Sequence, residues 1–165
     1  MSDEVLSQVS DSLFLHGRII DVIPVSVYQD KIFEQDLIFE QENGVKIVLS
    51  DVHMLCKSES IGQIKKILII NSLRSSIETC EGNKNGIFPY KVDQGPEADI
   101  FGSLEKIIEP SEEKYKSFRR YAILNFGTGY LWVILHKDHK EDFTHFHEGD
   151  CVSVKAARLD LLNVS

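Results

Sequence analysis

Apolar residues recur at every second position along much of the chain, the spacing of a strand with one buried face. Residues 13–27 read as one long strand, bent at Gly17 and interrupted at Pro24. Residues 32–40 and 45–49 flank Glu42-Asn43-Gly44, and Asn-Gly marks a tight hairpin because both residues tolerate positive φ. Residues 64–70 and 73–77 extend the pairing. Residues 80–98 are rich in Gly, Asn and Pro, carry no period and read as a linker. Strands resume at 100–108 and 120–126, turn at Gly127-Thr128-Gly129 into 130–135, and finish with 151–154 and 158–164. Only residues 52–57 and 141–147 read as helix, each about two turns long.

The two halves match without gaps at the offset 102 − 17 = 85, which aligns Gly17 with Gly102. The same offset pairs Ser26 with Ser111, Lys31 with Lys116, Phe33 with Phe118, Ile38 with Ile123, Gly44 with Gly129 and Val48 with Val133. Apolar positions follow, Leu15 with Ile100, Ile19 with Leu104 and Ile47 with Trp132 among them. A repeat of this length points to duplication of a structural unit. A long strand that bends at a glycine can pair on both sides and close a small barrel.

The phrase Glu148-Gly149-Asp150-Cys151-Val152-Ser153-Val154, with a weaker counterpart in Ile61-Gly62-Gln63-Ile64, resembles OB-fold domains, whose Gly-Asp-x-Val-x-Val phrase leads into the last strand. Biotinyl-like, SH3-like and molybdate-binding barrels use similar phrases. The resemblance implies an all-β chain of two tandem OB-like small β-barrels with short helical connections. The expected division is a flexible segment at 1–11, a first barrel at 12–79, a linker at 80–98 and a second barrel at 99–165.

Composition narrows the function. The net charge is −8, which disfavours a protein whose whole surface binds polyanions. The acid is concentrated in residues 1–101, with 9 basic and 16 acidic side chains, whereas 102–165 hold 9 and 10. An anion-binding face is therefore expected in the second half. Cys56, Cys80 and Cys151 are odd in number, widely spaced and form no C-x-x-C, as expected of unpaired thiols in a reducing compartment. No stretch has the roughly 20 apolar residues of a membrane-spanning helix, and the acidic amino terminus is unlike a secretory signal. A cytoplasmic location is the expectation.

Three groups of residues invite chemistry. Lys114, Tyr115, Lys116, Arg119, Arg120 and Tyr121, followed by Trp132, interleave cations with rings. A cationic groove with rings for base stacking is how single strands are held, and OB-folds present such residues on strands 2 and 3. The alternative is a solvated hairpin with its rings in the core. His136, His139, His145 and His147 lie close in sequence among carboxylates, a ligand set zinc accepts. The alternative there is an exposed polar loop anchored by Phe143 and Phe146. Asp51, His53 and Cys56 contain the parts of a thiol nucleophile, but packing explains them as well. No nucleotide-hydrolysis or serine-hydrolase motif occurs. The sequence thus predicts a non-enzymatic binding protein without a cofactor, zinc being the exception to test. Its second barrel would bind single-stranded nucleic acid. The competing reading is a protein-interaction or scaffold module, capable of homo-oligomerisation through strand edges at 64–70 or 158–164.

Overall fold

The computed structural model describes residues 11–72, 75–90, 95–108, 119–136 and 145–165. Its strands are β1 (Leu15–Tyr28), β2 (Lys31–Gln41), β3 (Lys46–Asp51), β4 (Ile64–Asn71), β5 (Ser76–Thr79), β6 (Gly86–Pro89), β7 (Ala98–Ile108), β8 (Arg119–Asn125), β9 (Tyr130–His136), β10 (Cys151–Ala156) and β11 (Leu159–Val164). The described residues are nearly all β, as the alternating pattern predicts, with two one-turn 3-10 helices at Asp11–Leu13 and Ser58–Ser60.

Five strands close into a barrel in the order β1-β2-β3-β11-β4 and back to β1. Closure places Leu15 opposite Ile67 and Arg18 opposite Ile64. β11 runs parallel to β3, with Asp160 opposite Ser50, and antiparallel to β4, with Leu159 opposite Asn71. The barrel therefore takes its fifth strand from the far end of the chain. From β4 the sheet continues through β9, β8, β7 and β10 to β5, and β6 adds to β7.

Several sequence-level expectations change here. Residues 80–98 are more than a linker, because Gly86–Pro89 pairs with β7. Residues 52–57 are not helical: the Asp51 carboxylate accepts the main-chain N–H groups of Leu55 and Cys56 and folds the segment into a turn. The strands at 64–70 and 158–164 are not open edges, since β4 has β1, β11 and β9 beside it and β11 has β3 and β4.

The pairing geometry of β1–β2 recurs in β7–β8. Ile19 faces Phe39 and Asp21 faces Ile38 across a bulge, while Leu104 faces Leu124 and Lys106 faces Ile123 across another. A Cβ on Gly17 would strike the Glu40 carbonyl oxygen, and one on Gly102 would strike that of Asn125. Two strands approach too closely there for any side chain. The weak Gly62 phrase also does the work of the strong Gly149 phrase. Gly62 N–H donates to Ile19 O and Ile19 N–H to Gln63 O, and Gly149 with Leu104 and Asp150 repeats both bonds. The second hairpin is one residue tighter: Gly127, not Gly129, takes the positive φ, and Trp132 occupies the register of Val48 rather than Ile47.

Packing follows period two. Ile67 and Ile69 of β4, Ala122 and Leu124 of β8, and Leu131, Val133 and Leu135 of β9 join one core that also takes residues from β1, β2, β3, β10 and β11. The alternate residues Leu68, Ile70, Tyr121, Ile123 and Trp132 form a second cluster on the opposite face. These strands are covered on both faces, which is why they read as unbroken apolar runs.

Candidate functional site

Of the cation–aromatic group, Lys114, Tyr115 and Lys116 lie outside the described residues. Arg119 stands opposite His136 at the start of β8, and the half-buried Arg120 opposite Leu135. Tyr121 and Trp132 are 7% and 1% exposed and pack in the second cluster with Leu68 and Ile70. Neither ring offers a face on which a base can stack. Both take the core role that was the alternative to nucleic-acid contact.

The histidines divide similarly. His139 lies outside the described residues, and His136 ends β9. His145 and His147 are exposed, with Phe146 buried between them. Phe146 joins the main core, while Phe143, the other ring expected to anchor this segment, lies outside the described residues. The His145 ring lies 4.2 Å from the Phe146 ring. Asp150 accepts the His147 main-chain N–H at 2.8 Å and sits 3.8 Å from its Nδ1. Among the described residues no three His, Cys, Asp or Glu side chains gather as a metal site.

Asp51 and Cys56 are structural in their contacts. The fully buried Asp51 carboxylate accepts Gln35 Nε2 at 2.8 Å besides the two turn amides, and Gln35 also donates to the Cys56 carbonyl at 2.6 Å. Burial, then the neighbouring Asp51 charge, push the Cys56 thiol up to about 11. A thiol so poised is mostly protonated at neutral pH, the reverse of an activated nucleophile.

A cleft of about 790 Å³ opens where β4, β8, β9 and β11 meet, lined by Asn71, Tyr121 and Arg158 among others. Arg158 there faces Asp160 with two contacts, 2.6 Å and 3.1 Å, and approaches Glu34 at 4.0 Å. These acids neutralise the guanidinium, so it presents little net charge to a phosphate.

The surface the sequence reading missed is a β-ribbon. Pairing of β1 with β4 ends at Arg18, and pairing of β2 with β3 begins at Gln35. Between these limits the two strands pair only with each other and leave the barrel wall. Every residue from 23 to 33 is exposed. Six large apolar side chains are among them, Ile23, Val25, Val27, Tyr28, Ile32 and Phe33, between 41% and 65% exposed. The tip is a two-residue turn with Gln29 and Asp30 at φ 47° and 62°. Two consecutive positive-φ residues match the right-handed twist of the strands they join.

No protein-family model matches this chain, and no curated protein is significantly similar to it.

Proposed function

We propose that this protein is a non-enzymatic binding module of the small-barrel kind, acting through protein–protein contact at the β1–β2 ribbon. The exposed apolar run from Ile23 to Phe33 carries the reading. At about 100 Å² for each of six side chains the two faces of the ribbon together expose roughly 600 Å² of apolar surface, as much as the largest apolar patch on a typical monomer. Such a surface costs solubility unless something covers it.

Charge favours protein over nucleic acid as the occupant. Asp21, Asp30, Glu34 and Asp36 stand on or beside the ribbon against the single base Lys31. Phosphates would be repelled, and affinity for nucleic acid depends on neutralising them. Support for the finer reading, a duplicated OB-type unit, comes from the repeated registers, bulges and glycine contacts of β1–β2 and β7–β8. The raised Cys56 thiol and the structural use of Asp51 favour a non-enzymatic role.

The test is site-specific photo-crosslinking in cells. A photoreactive residue replacing Val27 is expected to give protein adducts that the same residue at the exposed barrel position Glu42 does not. Equal labelling at both positions overturns the reading. A low-salt titration with a single-stranded oligonucleotide decides the competing function, and salt-sensitive binding without ribbon adducts would favour it.

A further inference from the structure

We infer that the ribbon's partner is a second copy of this chain, with the ribbon of each copy lying across a basic apolar shoulder on the other. This rests on the ribbon being an interaction surface and adds what covers it.

The shoulder lies at the barrel end of β1. Ile61 and Ile64 are exposed there, Ile64 at 71%. Arg18 stands opposite Ile64 and donates to the Gly62 carbonyl at 3.0 Å, and Gly17 stands opposite Lys65. His16 stands opposite Lys66, so Arg18, Lys66 and Ile64 share one face of the β1–β4 pair. Arg18 and Lys66 thus flank Ile64 on that face, with Ile61 in the turn that precedes it. Sign and polarity complement the ribbon, which is apolar and flanked by Asp21, Asp30 and Glu34. One molecule carries both halves of a contact.

The geometry allows both halves to be used at once. Shoulder and ribbon lie on the same strand, with Arg18 and Tyr28 about 33 Å apart along β1 at a strand rise of roughly 3.3 Å per residue. A two-fold axis crossing β1 near Ile23 sets the tip of each copy over the shoulder of the other. Such an isologous contact closes on itself and does not propagate. Edge-to-edge growth is blunted independently: Pro24 lacks an N–H, and bulges interrupt the register on both sides of Ser26. The faces remain available.

Sedimentation equilibrium of the full chain over a micromolar range is expected to show a dimer. Phe33→Asp on the ribbon and Ile64→Asp on the shoulder should each weaken it about tenfold or more. Far-UV circular dichroism and the thermal melt verify the fold, and Phe33→Ser with Ile64→Ser repeat the test should an aspartate disturb it. The diagnostic result is the mixture. Phe33→Asp and Ile64→Asp chains together retain one intact ribbon-on-shoulder contact, so mixing is expected to restore association above either variant alone. A monomeric wild-type chain overturns the inference. So does a dimer insensitive to Ile64→Asp, or a mixture no stronger than its components. In each of these cases adducts at position 27 would still uphold the ribbon as a protein contact, whereas their absence removes both readings.

Discussion

Single residues decide whether strands of this fold can meet. Gly17 and Gly102 adopt no unusual φ; their requirement is space, because a Cβ would run into a main-chain oxygen that cannot move aside. Alanine at either position is expected to cost about 2 kcal/mol, the range for overpacking against a fixed backbone, read as a lower urea midpoint without a change in slope. Asp36 shows a smaller effect with a definite sign. Burial, then the charge of Glu34, raise its carboxyl above 3.8, and Arg158 only partly opposes them. The native state then holds the proton more tightly than the unfolded chain, so stability declines as pH rises through the region just above that value. Asp36→Asn is expected to match the wild type in acid, where the carboxyl is protonated in both states, and to exceed it at neutral pH. The gain should be small, since the half-exposed group is screened. Equal melting temperatures across that range would refute the assignment. At this scale the sequence was partly legible: the matched glycines stood out by spacing, but the carbonyls they approach belong to partner strands and leave no mark beside them.

At the scale of elements, the β1–β2 ribbon is the piece with least support. Within residues 23–33 its strands have each other but no neighbouring strand and no core beneath them. Its turn also uses Gln29 at positive φ, where side chains other than glycine or asparagine are disfavoured. Replacing Gln29-Asp30 by Asn-Gly should slow amide exchange at Tyr28 and Lys31, the pair that closes the turn, several-fold and leave β4 unchanged, which hydrogen exchange can follow residue by residue. Unchanged protection at those amides would mean that the turn does not limit opening. Alternation identified β1 and β2 as strands, yet gave no sign of where the wall ends, because a pleat continues with the same period after the core has stopped. The signal that was available for Trp132 is different. Leu131 to Leu135 and Ile67 to Ile70 are apolar without interruption, the mark of strands covered on both faces, and that pattern favours burial of the indole.

Across the whole molecule, closure of the barrel depends on residues more than a hundred positions from its first strand. Leu159 and Leu161 on β11 are each 1% exposed and belong to the same core as Leu15 and Ile67. Losing two buried leucines removes about 4–10 kcal/mol by the usual range for such positions, comparable with the entire stability of a domain. A chain truncated after Ala157 is therefore expected to lose its cooperative urea transition, and a retained one would show that the four remaining strands suffice. The sequence by itself determined the secondary-structure class, most strand positions and the recurrence of one strand-pair geometry, because these rest on local period, glycine placement and turn chemistry. It could not say which strands lie side by side. Only the tertiary structure decided that β11 fills the gap between β3 and β4, that Trp132 and Tyr121 face inward and that the ribbon stands clear of the wall. Strand neighbours are chosen by packing between distant segments, and exposure is a property of what lies opposite a residue in space.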